Sequence, residues 1–322
     1  MTYKILITGA AGFIGSNLSE YFIAQGHTVI GLDNLATGHV HNLSGLMDND
    51  RFTFIEGDIR DLETCKSAVK DCDYVLHQAA LGSVPRSIKD PITSNEVNVN
   101  GFLNILVAAR DARVKKVVYA ASSSTYGDSK ILPKEEDVIG KPLSPYAITK
   151  FVNELYADVF YKTYGLNSIG LRYFNVFGRR QDPNGAYAAV IPLFTKKLIQ
   201  GESPVINGNG SYSRDFTYID NVIHANEQAM LATGTEAENT VLNVAYGDRT
   251  DLNDLVGLLK KHLAPYVPDV EQVEAIHGPL RAGDVAHSHA SIERAKRLVG
   301  YNPQFNLDKG IEHAVKWYVN NL

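Results

Sequence analysis

The sequence predicts an α/β fold, in which a Rossmann-type, doubly wound parallel sheet is joined to a smaller α/β substrate-binding lobe. Two observations predict it. Short apolar segments alternate with amphipathic ones through the first half of the 322-residue chain, and a glycine-rich turn separates the first strand from the first helix. Such alternation is typical of parallel sheets with helices on both faces, where ligands bind beyond the carboxyl ends of the strands.

Apolar segments rich in β-branched residues predict strands at 4–8, 28–32, 52–56, 74–77, 117–121 and 168–172. Amphipathic segments between them predict helices at 13–25, 62–70, 92–112 and 145–164.

After Asn175 the composition changes, and 178–210 is richer in Gly, Pro and Asn around a short helix at 191–200. Segments 214–232 and 240–245 resume the sheet-type pattern, which predicts one return to the first lobe. Thr250 is the predicted N-cap of a helix at 252–263, and two further helices are predicted at 291–299 and 307–322. We therefore predict a Rossmann domain over 1–174 and about 214–246, and a second lobe over 175–213 and 247–322.

The bulk properties argue against several function classes. The formal net charge is −5, and without a basic patch we expect no nucleic-acid partner. We expect no membrane anchor, because no apolar segment approaches bilayer length and no signal peptide precedes the first strand. Cys65 and Cys72 are predicted to be buried on one helix face without a disulfide, which suits a cytoplasmic location. The His39/His41 and His287/His289 pairs have no third ligand nearby, so no metal site is predicted.

The glycine-rich turn predicts a dinucleotide site. Gly9 allows a tight turn, Gly12 lets the backbone approach a pyrophosphate, and Gly15 lets the new helix pack on the strand. The N–H groups and the positive dipole at the start of that helix suit phosphates. The position of the turn, after a strand and before a helix, strengthens the signal.

Asp33 ends the second strand, where a carboxylate accepts hydrogen bonds from the adenosine ribose and repels a 2′-phosphate. No arginine occurs among residues 34–38, so we predict NAD rather than NADP. Asp58 and Ile59 follow the third strand and are placed to meet the adenine, with helix capping as the alternative role for Asp58.

Tyr146 and Lys150 are four residues apart on one face of a predicted helix. The lysine ammonium and a positive nicotinamide ring would both favour the phenolate, which lowers the pKa of Tyr146 and makes it a general base. A serine hydroxyl at the preceding strand end could hold the substrate hydroxyl and share the proton. The arrangement predicts concerted hydride and proton transfer.

The chain resembles the extended short-chain dehydrogenases/reductases of the UDP-sugar 4-epimerase family, and most of all the bacterial UDP-N-acetylglucosamine 4-epimerases. The resemblance covers essentially the whole chain. It is carried by the glycine turn, the Tyr146/Lys150 pair, the serine triplet 122–124 and segments 31–34, 57–60, 77–80, 172–178 and 214–216. It implies that the base takes the proton of the sugar 4-hydroxyl while hydride passes from C4 to a retained NAD. The 4-keto sugar then turns over, and the hydride returns to its other face.

The resemblance also assigns residues. It implies a catalytic hydroxyl at Ser122, beside Tyr146 and Lys150. It implies that NAD is bound by Gly9, Gly12, Phe13, Ile14, Gly15, Asp33, Asn34, Thr37, Gly38, Asp58, Ile59, Gln78, Ala79, Ala80, Asn98, Tyr146, Lys150 and Tyr173. The UDP-sugar is expected to meet Ser83, Arg86, Ser123, Ser124, Asn175, Ala189, Val190, Val205, Asn207, Arg214, Arg281, Asp284 and Ser288. For Ser83 and Arg86 a role in fixing their loop is an equal alternative. A homodimer formed through 92–112 and 145–164 is a further expectation.

The serine triplet separates the possible outcomes of the reaction. Related 4,6-dehydratases carry Asp-Glu at the positions of Ser123 and Ser124, and decarboxylases typically carry Glu at the second. This chain has no carboxylate between Ala120 and Gly127, which favours epimerisation. A 4,6-dehydratase, a UDP-uronic acid 4-epimerase and, more remotely, a non-catalytic NAD-sensing protein remain the alternatives.

Ser288 is the predicted specificity position. The resemblance places it where glucose/galactose-restricted enzymes carry a tyrosine beside the sugar 2-substituent. A small side chain leaves room for an N-acetyl group, so we predict interconversion of UDP-GlcNAc and UDP-GalNAc with weaker action on UDP-Glc and UDP-Gal.

Overall fold

A computed structural model describes residues 1–184, 188–279 and 286–322. Its strands are β1 (Lys4–Thr8), β2 (Thr28–Asp33), β3 (Phe52–Glu56), β4 (Tyr74–His77), β5 (Lys116–Ser122), β6 (Ser168–Tyr173), β7 (Val176–Phe177), β8 (Val205–Asn207), β9 (Ser213–Arg214), β10 (Thr217–Tyr218), β11 (Thr240–Val244), β12 (Thr250–Asp251) and β13 (Ile276–Gly278). The α-helices are α1 (Phe13–Ala24), α2 (Leu62–Val69), α3 (Val84–Lys89), α4 (Pro91–Asn95), α5 (Phe102–Ala112), α6 (Pro145–Tyr164), α7 (Val190–Ile199), α8 (Ile219–Leu231), α9 (Leu252–Leu263), α10 (Glu293–Val299) and α11 (Leu307–Asn321).

The central sheet has seven parallel strands in the order β3-β2-β1-β4-β5-β6-β11. The chain winds outward in one direction from β1 and in the other from β4. The crevice beyond the carboxyl ends of β1 and β4 is therefore the switch point where such sheets bind ligands. The doubly wound parallel sheet confirms the predicted fold class.

Two apolar layers cover the sheet. Leu6, Val75 and Val117 point to one face and join a cluster with α2, α5 and α6. Ile5 and Leu76 point to the other face, into a cluster that includes α1 and α8 and continues to α9 and α11. Burial on both faces explains the near-continuous apolar strands.

The return of the chain to the sheet occurs through β11, which pairs with β6. The preceding segment is mainly helix α8, so the sheet-type pattern predicted at 214–232 is wrong as a strand signal for most of its length. The helix predicted at 92–112 consists of α4, a π-helical segment (Glu96–Gly101) and α5. Helix α3, which we did not predict, precedes it.

Two local predictions are wrong. Asp251, not Thr250, caps α9, with its carboxylate accepting the N–H of Asp254 at 2.9 Å. Both cysteines are buried and free, but only Cys65 lies on α2, which ends at Val69 before Cys72. Within the described ranges, no helix combines the length and the apolar character needed to cross a membrane.

Candidate active site

The glycine turn leaves no space for side chains. Gly9 has a φ of +69°, and a Cβ added there would lie 2.8 Å from the backbone nitrogen of Ala79. A Cβ on Gly15 would lie 2.0 Å from the carbonyl oxygen of Gly9. Gly12 is the N-cap of α1. The turn is therefore a backbone surface at a helix N-terminus, which suits a pyrophosphate.

Most of the predicted cofactor residues meet in one groove of about 360 Å³ at the switch point of the sheet. Those that line it are Gly9, Gly12, Phe13, Ile14, Gly15, Asp33, Asn34, Thr37, Ile59, Gln78, Ala79 and Ala80. We did not predict Ala36, Arg60, Leu81, Gly82, Thr93 and Val97, which also line the groove. Arg60 belongs to segment 57–60, which carries part of the family resemblance, and this was the available signal for it.

Asp33 is 8% exposed at the rim of the groove. Its carboxylate accepts the backbone N–H of Ala11 at 2.9 Å and that of Leu35 at 2.8 Å. The two bonds fix the carboxylate beside the glycine turn. A fixed negative charge at this point disfavours a ligand with an extra phosphate.

Asp58 lies one layer behind the groove. Its carboxylate accepts hydrogen bonds from Arg60 (2.7 Å) and from Asn34 (2.9 Å), both of which line the groove. The bond from Arg60 lowers the pKa of Asp58 to about 2. The alternative role of Asp58 as a helix cap is not observed, because Asp61 caps α2.

Tyr173 and Asn98 also support lining residues from behind. The Tyr173 hydroxyl donates to Gln78 Oε1 at 3.1 Å and accepts from Asn226 Nδ2 at 2.8 Å. Gln78 in turn donates to Asn226 Oδ1 at 3.2 Å, which closes a ring of side chains. The amide of Asn98 bonds the backbone of Leu81. Gly38 packs against the backbone of Ala11, 2.8 Å from an added Cβ.

The donor set fits NAD. Gly9 and Gly15, which have no room for a Cβ, and the N-terminus of α1 suit the pyrophosphate of a dinucleotide. The fixed carboxylate of Asp33 at the end of β2 suits its ribose hydroxyls. Arg60 does not favour NADP over NAD, because its guanidinium is paired with Asp58 and, at 3.5 Å, with Glu96.

Tyr146, Lys150 and Ser122 come together at the carboxyl end of β5. Ser144 caps α6 by accepting the N–H of Ala147 at 3.1 Å, which places Tyr146 in the first helical turn. The Lys150 ammonium donates to the carbonyl of Ala120 at 2.8 Å and lies 6.0 Å from the centre of the Tyr146 ring. The Tyr146 phenol is hydrogen-bonded to Ser122.

The predicted lowering of the Tyr146 pKa includes a nicotinamide ring, and the protein groups alone shift this pKa in the opposite direction. Burial raises the pKa of Tyr146, and the hydrogen bond to Ser122 offsets only part of this increase. Burial also lowers the pKa of Lys150 to about 8. Burial therefore shifts both groups toward their neutral forms, although Lys150, with a pKa of about 8, still carries its charge at pH 7.

The rest of the serine triplet is ordered by Ser122. Ser124 donates its backbone N–H and its hydroxyl to Ser122 Oγ, at 3.1 and 2.9 Å. Ser122 caps the 3₁₀ turn Ser123–Tyr126. Three hydroxyls thus lie together at the carboxyl end of β5, where the sequence has no carboxylate between Ala120 and Gly127.

A second cavity, of about 310 Å³, is lined by residues between 175 and 216 and by Leu252. The predicted substrate residues that line it are Asn175, Ala189, Val190, Val205, Asn207 and Arg214. Phe177, Leu193, Phe194, Phe216 and Leu252, which we did not predict, add apolar walls. The Arg214 guanidinium donates to the carbonyls of Ser213 (3.0 Å) and Ala286 (3.1 Å).

Other predicted substrate residues lie outside that cavity. The backbone N–H of Ser288 donates to the carbonyl of Ser213 at 3.0 Å, beside Arg214. Ser83 caps α3 by accepting the N–H of Arg86 at 3.2 Å, which fits the loop-fixing alternative. Arg281 and Asp284 lie outside the described residues. In the parts of the chain that the structure describes, no cluster of three or more His, Cys, Asp or Glu side chains could hold a metal ion.

Comparison with known proteins agrees with this geometry. A Methanocaldococcus jannaschii protein named putative UDP-glucose 4-epimerase is 37% identical over 98% of this chain and 99% of its own length. UDP-glucuronate 4-epimerase 4 of Arabidopsis thaliana is 33% identical over 98% of this chain and 75% of its own. A solved UDP-N-acetylglucosamine 4-epimerase from Methanobrevibacter ruminantium, in complex with UDP-N-acetylmuramic acid, is 35% identical with a TM-score of 0.92, covering 100% of this chain and 99% of that one.

Residues 5–245 match the NAD dependent epimerase/dehydratase family. This range holds the groove at the switch point and the three groups at the end of β5. The chain therefore belongs to the NAD dependent epimerase/dehydratase family, and its cofactor is NAD.

Proposed function

We propose that this UDP-sugar 4-epimerase interconverts UDP-N-acetylglucosamine and UDP-N-acetylgalactosamine, and acts more weakly on UDP-glucose and UDP-galactose. The observation that carries the sugar preference is the place of Ser288. Its backbone is bonded to Ser213, next to Arg214 in the second cavity. A small side chain beside a phosphate-binding arginine leaves space for an acetamido group.

Residues 1–174 and about 214–246 bind NAD in this proposal, and 175–213 with 247–322 bind the UDP-sugar. The groove residues hold NAD at the glycine turn and Asp33, with Asp58, Asn98, Tyr173 and Gly38 supporting the groove from behind. Bound NAD supplies reversible hydride acceptance. Arg214 and Asn175 contact the diphosphate, and the aromatic and apolar walls of the second cavity meet the uridine.

Tyr146 removes the proton of the sugar 4-hydroxyl, and Ser122 bonds both that hydroxyl and the phenol. The Lys150 ammonium, held at Ala120, stabilises the phenolate when the proton leaves. After the 4-keto sugar turns over, Tyr146 returns the proton to the oxygen on the inverted carbon. The hydroxyls of Ser123 and Ser124 cannot act as the acid and base that elimination of water requires.

The UDP-uronic acid 4-epimerase alternative is supported by the similarity to the Arabidopsis enzyme. A coupled assay with UDP-GlcNAc, UDP-GalNAc, UDP-Glc, UDP-Gal and UDP-glucuronate, without added NAD, discriminates among the candidates. Preferred turnover of the acetamido pair supports the proposal. Preferred turnover of UDP-glucuronate, or release of a 4-keto-6-deoxy sugar, contradicts it.

Substitution at position 288 tests directly whether the size of this side chain controls access of the acetamido group. Ser288→Tyr is expected to abolish turnover of the acetamido pair and to keep that of UDP-Glc and UDP-Gal. Ser288→Ala, the matched control, is expected to keep both activities. Equal loss of turnover on both pairs in the tyrosine variant would refute the proposed role of Ser288.

We further propose that the protein is a homodimer joined through α4–α5 and α6. Ile148, Leu155 and Val159 form an apolar stripe on α6 and are 51%, 51% and 52% exposed, and Ile92 on α4 is 72% exposed. Burial of such a stripe against a second copy is favourable. Leu155→Glu with Val159→Glu should give a monomer by sedimentation, whereas Leu231→Glu on α8 should not; a monomeric wild type would contradict the proposal.

A further inference from the structure

The backbone N–H of Tyr146 is satisfied from another helix. The first N–H groups of an α-helix have no partner within the helix, and the capping side chain of Ser144 accepts the N–H of Ala147, not that of Tyr146. Tyr146 donates its N–H to Ser87 Oγ of α3 at 3.0 Å. Ser87 is fully buried, and its own hydroxyl donates to the carbonyl of Val84 at 2.7 Å, which fixes the direction of its lone pairs.

The carbonyl of Tyr146 is held as well. It accepts the hydroxyl of Thr149 at 2.8 Å, and Thr149 Oγ1 accepts the amide of Asn98 at 3.1 Å. Asn98 is buried in the π-helical segment, and its Oδ1 accepts the N–H of Leu81 at 2.7 Å. Leu81 lines the cofactor groove.

These bonds connect the wall of the groove, through Asn98 and Thr149, to the carbonyl of Tyr146, and they connect α3, through Ser87, to its N–H. We infer that Ser87, with Thr149 and Asn98 on the opposite side, is a positioning residue that sets where the Tyr146 phenol meets the sugar 4-hydroxyl. The inference rests on the proposed role of Tyr146 as the base. It assigns to α3 a function that its sequence did not suggest.

The physical reason is the precision that proton transfer needs. The first turn of a helix has N–H groups without partners within the helix, and a displacement of about 1 Å in a reacting group can cost about 100-fold in rate. Without Ser87 Oγ, a buried N–H loses its acceptor and the turn shifts to recover one. The binding surfaces for NAD and for UDP do not include Ser87, so affinity for both should stay.

Ser94 provides a matched control. It is a serine of α4, 1% exposed, whose hydroxyl donates to the carbonyl of Asp90 at 2.8 Å. Ser87→Ala and Ser94→Ala thus each remove a buried hydroxyl that donates to a backbone carbonyl three or four residues earlier. Only Ser87 accepts the Tyr146 N–H.

The experiment compares both variants with the wild type as purified, cofactor-loaded protein. Three quantities are measured: kcat and KM with the UDP-sugar that is turned over best, the rate of nicotinamide reduction in a single turnover, and amide hydrogen exchange at Tyr146. In Ser87→Ala we expect kcat and the reduction rate to fall about tenfold or more, with KM within about twofold and exchange at Tyr146 faster. Ser94→Ala should match the wild type in all three.

Equal kinetics in the two variants would overturn the inference, as would a rise in KM at unchanged kcat or a slow hydride step without faster exchange at Tyr146. Ser87→Thr keeps the hydroxyl oxygen and should restore the rate. If Ser87→Ala does not fold, Thr149→Val tests the carbonyl side with the same readouts. If the wild type turned over none of the UDP-sugars, the proposed function would fail, whereas the exchange contrast would still decide whether Ser87 holds Tyr146.

Discussion

The Arg172 guanidinium and the Glu154 carboxylate form a buried, two-bonded ion pair between β6 and α6. The two N–H···O distances are 2.9 and 2.7 Å, and the side chains are 4% and 7% exposed. Arg172 also donates to the carbonyl of Glu136 and lies 4.8 Å from the Tyr126 ring centre. Because Glu154 is one turn beyond Lys150 on α6, the pair attaches the helix of the proposed base to the sheet.

Removal of one partner of this pair should destabilise the protein strongly. Glu154→Gln leaves the buried Arg172 guanidinium without its charged partner, and Arg172→Met does the same to the Glu154 carboxylate. Either change should lower the free energy of unfolding by about 3–5 kcal/mol. The double variant should lose less than the sum of the two. Urea unfolding measures these changes. Lys162→Met, at an exposed pair on the same helix, is the control and should cost under about 1 kcal/mol; similar losses in Glu154→Gln and this control would contradict the prediction.

The glycine turn gives a second prediction. Gly15→Ala would place a methyl group 2.0 Å from the Gly9 carbonyl oxygen, so α1 must move away from β1. We expect a loss of about 1–3 kcal/mol in unfolding free energy and loss of most of the NAD that co-purifies. Gly45→Ala is the control, because no atom lies within 4 Å of the added carbon. Full NAD content in folded Gly15→Ala would count against the fit of the turn to a pyrophosphate.

The sheet was predictable because its strands are local apolar segments, and the predicted limits of the six strands before Asn175 differ from the observed ones by at most one residue. The groove was predictable for the same reason, since its residues follow strand ends. Thr250 and Asp251 are neighbours that can both cap a helix, and the sequence does not rank them. In the fold, Thr250 pairs with Arg214 across β12 and β9, which leaves the Asp251 side chain at the helix start.

The supporting bonds behind the site could not be predicted from the sequence. The ring of Gln78, Tyr173 and Asn226 joins the residue after β4 to residues of β6 and α8, and no local pattern relates them. Ser87 was not predicted as a site residue, because it lies on the short helix α3, which has no strong periodicity. The pKa of Tyr146 depends on burial, which the spacing of Tyr146 and Lys150 does not reveal.

The pH dependence of turnover provides a third prediction. The pKa of Lys150 is lowered to about 8 by burial, so its ammonium is lost as the pH rises through that value. The Tyr146 phenolate then lacks its nearby positive charge, and kcat should fall above about pH 8. Stability should change in the opposite direction. Between this pKa and the ordinary lysine value the unfolded chain binds more protons, so the contribution of Lys150 to stability rises with pH.

Turnover and thermal midpoints measured at each pH separate the two effects. Lys150→Arg keeps its charge over this range, and its activity, although lower, should not fall above pH 8. An identical alkaline fall in the arginine variant would show that another group controls it.

Asp215 provides the last prediction, since it is a fully buried carboxylate between β9 and β10. It accepts the backbone N–H groups of Tyr246 and Ala290, both at 3.1 Å, and of Gly247 at 3.3 Å. Burial raises its pKa to about 7. The native state therefore holds the proton at a pH where the unfolded chain has released it, and this contribution to stability is lost as the pH rises from about 4 to about 7.

Asp215→Asn should remove that pH dependence. The amide turns one acceptor oxygen into a donor that faces an N–H, which costs about 1–3 kcal/mol. The wild type minus variant difference in unfolding free energy should be largest near pH 4 and decrease toward pH 7, by at most about 1.4 kcal/mol per pH unit. Urea titrations at several pH values measure the difference. A constant difference would mean that Asp215 is already ionised at pH 4, because the three N–H donors outweigh the cost of burying its charge.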